Sequence, residues 1–305
     1  MSNAEPAWEL YGTLLAVMEG GSLSAASRAL GLAQPTVRRR IESLEAALGT
    51  PLFTRATNGL VPTDAALAAR PHIEAMATAA RAVARTASGP AGAERGTVRV
   101  TASEVIGAEV LPPILAALAR DAPALRVELA LTNRSEDLLR READVAVRMI
   151  APTQTALVAR RVGAVPIGLF ASADYLTAHG APARLDDLAA HRLVGPDRDR
   201  AALDALASAG ITVPARDFAL RTDSDLAQLA AVRAGVGIGV AQVPLAARDP
   251  RLVRVLPRLT VPLDMWVVMH EDLRALRRVR RVFDHLVAGL GAYLGRHGRR
   301  PGGAA

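Results

Sequence analysis

Ser22-Leu-Ser-Ala-Ala-Ser-Arg-Ala-Leu-Gly-Leu-Ala-Gln-Pro-Thr-Val-Arg-Arg-Arg-Ile41 decides how the first part of the chain folds: two short helical stretches are broken by a glycine, and the second carries three consecutive arginines. The first stretch needs a side chain that accepts from its free amides, and Ser22 or Ser24 can cap it. Ala25, Ala26, Ala29 and Leu30 give it a small packing side. Gly31 supplies the left-handed backbone angle of a tight turn. The second helix is expected to begin near Gln34, with Pro35 in its first turn, where a missing N–H does no harm. Val37, Ile41, Leu44 and Leu48 recur at helical spacing as its packing face, which leaves Gln34, Thr36, Arg38 and Arg39 on other faces. The pattern is a helix-turn-helix whose outer side suits a DNA groove.

Upstream, Trp8, Tyr11, Leu15 and Met18 fall at i, i+3, i+7 and i+10, which predicts an amphipathic helix over 8–19 that Gly20-Gly21 ends. Downstream, Gly49 stops the second helix and Ala56-Thr-Asn-Gly59 reads as a hairpin turn, a wing with Arg55 and Asn58 near its tip. Thr63 or Asp64 can cap an alanine-rich helix that runs to about Thr86 and is expected to kink near Pro71. Its apolar positions Leu67, Ile73, Met76, Ala80 and Val83 have no core of their own, so pairing with the same helix of a second subunit is the economical solution. Ser88 to Gly96 is a glycine-rich linker.

From Thr97 the pattern changes. Strands are expected at 97–101, 125–131, 144–148, 165–171, 216–221, 237–241 and 265–270. Helices are expected near 108–120, 135–142, 173–179, 224–234 and 275–294. This alternation predicts an α/β domain with a mostly parallel sheet, split into two lobes.

Gly21-Ser-Leu-Ser-Ala-Ala, Leu30-Gly-Leu-Ala-Gln-Pro, Ile41-Glu-Ser-Leu-Glu and Leu48-Gly-Thr-Pro-Leu-Phe-Thr-Arg55 together resemble the LysR-type transcriptional regulators. The likeness continues through Thr63-Asp-Ala, Arg141-Glu-Ala-Asp-Val-Ala-Val-Arg148 and Ala234-Gly-Val-Gly-Ile-Gly239, and so covers roughly residues 8 to 295. It implies a winged helix-turn-helix over 1–63, a linker helix and hinge over 64–96 that dimerises, and a two-lobed effector domain over 97–295. That domain would share its fold with periplasmic solute-binding proteins, with a second lobe at about 166–265; beyond the likeness, residues 296–305 read as a flexible basic tail. The implied function is ligand-responsive, sequence-specific binding of double-stranded DNA by a homodimer or a dimer of dimers. At position 38 the family usually has a small hydroxyl residue, where this chain has Arg38.

Composition narrows the chemistry. The 305 residues include no cysteine and no lysine, which excludes disulfides, cysteine zinc sites, a Schiff-base lysine and a phosphate-loop lysine. The absence of a leader pattern and of a long apolar run leads to the expectation of a cytoplasmic protein without membrane contact. The net charge of +7 resides in the last 33 residues; residues 1–95 carry +1 and residues 96–272 carry −1. DNA contact is therefore argued from the local excess at Arg28, Arg38, Arg39, Arg40 and Arg55 and not from total charge. Ser24, Arg28, Gln34, Pro35, Thr36, Arg38, Arg39, Arg55 and Asn58 form the expected interface, with base or phosphate contact open for each arginine.

Ends of parallel strands are where α/β sheets place ligands. Ser103 and Glu104 follow the first strand of the domain, Thr132 and Asn133 the second, and Arg148 ends the third. Thr222 and Asp223 sit where a strand of the second lobe turns into a helix. An effector site between the lobes, as the resemblance implies, would draw on these seven residues. Arg148 suits a small organic anion, with an internal salt bridge as the plain alternative. Gly235-Val-Gly-Ile-Gly239 ends a helix and enters a strand, the reverse of a dinucleotide loop, so Gly235 reads as a helix stop. The six histidines show no metal spacing, and no nucleophile with a base is readable. The chain is read as having no cofactor and no catalysis; an enzyme fused to a repressor domain, or a constitutive DNA binder whose α/β domain only oligomerises, are the rival readings. The arginines from 274 to 281 are expected on a solvated outer face of a terminal helix, alternating with Leu276, Val279, Val282 and Phe283.

Overall fold

A computed structural model describes residues 5–56, 59–87, 92–133, 143–152, 157–211 and 218–295. Two compact units meet in sequence after Thr86. The first contains α1 (Trp8–Gly20), α2 (Leu23–Leu30), α3 (Gln34–Leu48), an antiparallel wing of β1 (Phe53–Ala56) and β2 (Gly59–Pro62), and α4 (Asp64–Thr86). Ser22 is the cap of α2, its Oγ accepting from the Ala25 N–H at 3.1 Å, whereas Ser24 lies exposed inside the helix. Gly31 adopts φ 64° at the end of α2, as the turn requires. Thr63 caps α4 by accepting from Ala66, while its own hydroxyl donates to the Pro51 carbonyl and ties the helix to the wing.

The core of this unit is narrower than helical spacing alone suggests. Leu14, Leu15 and Val17 are the buried face of α1, and Trp8, its first residue, is 39% exposed. Of the four small residues expected to pack from α2, only Ala26 is fully buried; Ala29 and Leu30 are exposed. Val37, Ile41 and Leu44 point inward from α3, but Leu48 is 43% exposed. The chain has turned at Gly49, and Leu52 takes the buried place, held by Glu45, whose Oε1 accepts from the amides of Leu52 and Phe53. α4 runs on through Pro71. Ile73 does have a core to join: with Ala66 and Ala77 it packs among the residues of α1 and α3.

In the second unit the order is β3 (Gly96–Ala102), a π-helical turn (Ile106–Val110), α5 (Leu111–Asp121), β4 (Leu125–Leu131), β5 (Val145–Arg148), β6 (Leu157–Ser172), α6 (Ala173–His179), β7 (Leu193–Gly195), α7 (Arg200–Ser208), β8 (Phe218–Arg221), α8 (Asp225–Arg233), β9 (Gly239–Gln242), α9 (Val243–Ala246), β10 (Leu252–Val255), β11 (Val261–His270) and α10 (Arg277–Gly295). The main sheet runs β10-β6-β11-β5-β3-β4, with β9 also on β6; β7 and β8 pair separately. It is mixed, not mostly parallel. β3 pairs with β4 and β5 in parallel, but every pair made by β6 or β11 is antiparallel. The reason is that both long strands cross from one lobe to the other: residues 157–161 of β6 pair with 266–270 of β11, which lies beside β5, whereas residues 167–172 pair with β9 and β10.

One face of the first-lobe sheet, built from Val98, Val100, Val145, Val147 and Val267, is covered by α5 and α10 through Leu111, Leu118, Val282, Leu286 and Leu290. Leu286 is fully buried there. Leu286→Ala is expected to cost about 2–5 kcal/mol, the usual range for a cavity left by a buried leucine, and to lower the urea midpoint of this unit; an unchanged midpoint would remove α10 from its core. The arginines of α10 are not one solvated face, since Arg278 is 1% exposed while Arg277 and Arg280 face solvent. The expected helix at 135–142, Asn58 and the tail at 296–305 lie outside the described residues. Among the described residues, no helix is long and apolar enough to cross a membrane.

Candidate nucleic-acid interface and ligand cleft

Helix α3 separates its residues by chemistry. With Val37, Ile41 and Leu44 turned into the core, Gln34, Pro35, Arg38 and Arg39 are exposed and Thr36 is half-buried. Ser24 and Arg28 are exposed on α2, so both helices of the motif present polar groups to solvent. Arg40 stands apart, because its guanidinium lies 3.4 Å from Thr13 Oγ1 and braces α3 against α1. Arg55 belongs to strand β1 of the wing. A guanidinium carries a permanent charge and a planar set of donors, which fits either a phosphate or a guanine edge.

In the second unit, the residues expected around a ligand fall into three groups. Glu104 and Asn133 form the first. The Glu104 N–H donates to Asn133 Oδ1 at 3.1 Å, and both side chains reach the start of α8 in the second lobe: Ser224 Oγ donates to Glu104 Oε2 at 2.9 Å, and Asn133 Nδ2 donates to Asp225 Oδ2 at 3.0 Å. The Leu226 N–H adds a longer contact to Glu104 Oε2 at 3.4 Å. Ser103, just before, accepts from the Gly107 N–H with its carbonyl, and the Thr132 N–H donates to Ala102, extending the β3–β4 pairing. Desolvation raises the Asp225 pKa above the ordinary carboxylate value; the Asn133 hydrogen bond opposes this, and the charges of Glu104 and Asp199 reinforce it.

Arg148 forms the second group with Thr101. It is 7% exposed at the end of β5, and two of its hydrogen bonds go to neutral oxygens, Thr101 Oγ1 and the Val147 carbonyl. Thr101 and Arg148 belong to the sheet face that α5 and α10 leave to others. Asp223 belongs to the third, with its carboxylate turned toward α7: one oxygen accepts from the backbone amides of Asp197, Arg198 and Asp199 at 2.8 to 3.0 Å. These donors, Arg198 and Asp199 foremost, hold its pKa below the usual value. Thr222 shapes the same corner, accepting from the Ser224 N–H through Oγ1 and from Gln228 through its carbonyl.

A second bridge between the lobes has no local sequence signal. Arg233, at the last turn of α8, makes a bidentate pair with Glu109 at 2.7 and 3.0 Å and also reaches Asp249 at 3.1 Å. The Arg233 hydrogen bond lowers the Glu109 pKa, and Arg251, followed by Arg233, holds Asp249 down to about 2. No local pattern announces a pair 124 residues apart; its only sequence trace is a basic residue in the last turn of a helix. Gly235 adopts φ 81° just past α8, where Val236 N–H closes back on Ala231, and β9 follows at Gly239, so this glycine-rich run is a helix stop leading into a strand. Among the described residues there is no group of three side chains suited to a metal ion.

Comparison with known proteins bears on both sites. Residues 8–67 match the bacterial regulatory helix-turn-helix proteins of the lysR family, and residues 91–291 match the LysR substrate binding domain. An HTH-type transcriptional regulator of Xanthomonas campestris pv. campestris (strain 8004) is 34% identical over 188 residues, 60% of this chain and 54% of its own length, so the match spans about half of that relative. The HTH-type transcriptional activator AaeR of Escherichia coli (strain K12) is 28% identical over 236 residues, 75% of this chain and 74% of AaeR. The solved structure of full-length CbnR complexed with its target DNA shares the fold with a TM-score of 0.66 at 22% identity, covering 93% of this chain and 99% of CbnR. With a helix-turn-helix at one end, a two-lobed α/β unit at the other and both halves matched, the chain belongs to the LysR family of transcriptional regulators.

Proposed function

We propose that this regulator binds double-stranded DNA sequence-specifically through α2, α3 and the wing, as a homodimer or dimer of dimers, in the cytoplasm. A small organic anion held between the lobes of the second unit governs its action. The observation that carries the DNA reading is the division of α3, with Val37, Ile41 and Leu44 buried and Gln34, Arg38 and Arg39 exposed on one helix. Ser24, Arg28, Pro35, Thr36, Arg55 and Asn58 complete the proposed contact surface. We assign the chain no catalytic role: the family regulates transcription, and its effector works through binding.

In this reading Arg148 is the charge partner of the effector's carboxylate, at the carboxyl end of β5 where α/β sheets receive ligands. Ser103 and nearby backbone amides hold the other end. Effector binding favours one arrangement of the lobes and thereby shifts the assembly on its operator. Calorimetric titration of a carboxylate found by thermal-shift screening tests this. Arg148→Met is expected to weaken that carboxylate by about tenfold or more, the scale of one charge-assisted hydrogen-bond partner. Equal affinity for both proteins would take Arg148 out of the site.

A further inference from the structure

The start of α8 is the place in the second lobe best equipped to receive an anion. It offers the Ser224 hydroxyl and the free amide of Leu226 at the positive end of a nine-residue helix. That place is taken by a group of the protein itself. Glu104, from the first lobe, puts Oε2 against both donors, and its backbone N–H is fixed by Asn133, which in turn grips Asp225 on the same helix start. The result is a circuit of four residues, closed through the Glu104 backbone N–H, that joins residues 104 and 133 of one lobe to residues 224 and 225 of the other. The far end of α8 is tied separately to the first lobe by Arg233 and Glu109.

We infer that Glu104 is a resident carboxylate that fills the anion seat at the start of α8 and latches the two lobes of the second unit. The latch does not depend on the effector reading above. Asn133 is a positioning residue here, since it holds the Glu104 backbone N–H and grips Asp225 at the same helix start.

The test is amide hydrogen exchange on the full chain, without DNA or effector, comparing residues 224–228 with β9 and β10 as an internal control. In Glu104→Ala, exchange at 224–228 is expected to rise about tenfold, the scale of one lost charge-assisted hydrogen bond, while β9 and β10 keep their rates because the Arg233–Glu109 pair still holds α8. Sodium acetate at tens of millimolar should restore the protection, and sodium chloride at the same ionic strength should not. Glu104→Asp, one methylene too short to hold Ser224 at the observed distance, should give the same loss and the same rescue, and it carries the test if the alanine variant does not fold. Unchanged exchange at 224–228 would overturn the latch. Equal acceleration at the control strands would overturn it in favour of general destabilisation, and equal effects of acetate and chloride would overturn the anion seat. A failed DNA or effector experiment would leave each of these outcomes readable.

Discussion

Replacing Arg38 and Arg39 together with alanine is expected to weaken operator binding on the order of 100-fold while leaving the helical unit folded. Both side chains are exposed on α3, off the Val37, Ile41 and Leu44 face, so their removal opens no cavity. Each arginine that contacts DNA contributes about 1–3 kcal/mol, which sets the size of the combined loss. The dependence on salt separates the two kinds of contact. If both arginines neutralise phosphates, the slope of log affinity against log salt falls by about 0.9 for each on duplex DNA. If they read guanine edges, discrimination at one or two base pairs disappears. Anisotropy titrations at several salt concentrations give both quantities. Unchanged affinity of the folded double variant would remove these residues from the interface.

Introducing glutamate at Met76 and Val83 is expected to shift the protein at micromolar concentration to smaller species in sedimentation velocity. In the single chain Met76 is 41% exposed and Val83 70%, and with the exposed Ala79 they recur at i, i+3 and i+7 along α4. An apolar stripe of this kind is the surface that a symmetric partner helix covers, and two buried, unpaired carboxylates per subunit would not be tolerated there. Ile73 is excluded from the experiment because it belongs to the intrachain core, where a charge would unfold the unit. An oligomer that survives both substitutions would place the main interface elsewhere.

These predictions differ in how far the amino-acid sequence alone leads to them. The helix-turn-helix is legible because its signals are local: a serine cap at Ser22, a left-handed glycine at Gly31 and three buried residues at helical spacing in α3. α6 is read with its observed bounds for the same reason, with Ser172 capping it through Tyr175 N–H. What fails is what distance in sequence decides. β7 and β10, three and four residues long, carry no alternation to detect, and they exist because β8 gives β7 a partner and β6 gives β10 one. The first half of β6 runs through Ala159-Arg-Arg161, which has no strand pattern of its own and is fixed by pairing with β11. The mixed character of the sheet follows from those two long crossing strands, whose direction no local residue encodes.

The candidate sites show the same division. Residue types at strand ends identify Glu104, Asn133 and Arg148 as cleft candidates, yet their chemistry depends on partners that the fold supplies. Glu104 meets Ser224 across 120 residues, and Arg148 meets Thr101 across 47. Asp223 resembles a ligand contact in the linear sequence because it precedes a helix; in the folded chain its carboxylate collects three amides of the 197–199 turn.

The exposed residues of α3 and its neighbours are expected to read a DNA sequence. Selection of duplexes from a random library by the full-length protein, followed by titration of the enriched duplex and a scrambled one at physiological salt, decides this. One enriched sequence is expected, bound at least about a thousandfold more tightly than its scrambled counterpart, with that preference reduced in the Arg38→Ala, Arg39→Ala protein. No enrichment, with equal affinity for the two duplexes, would contradict it.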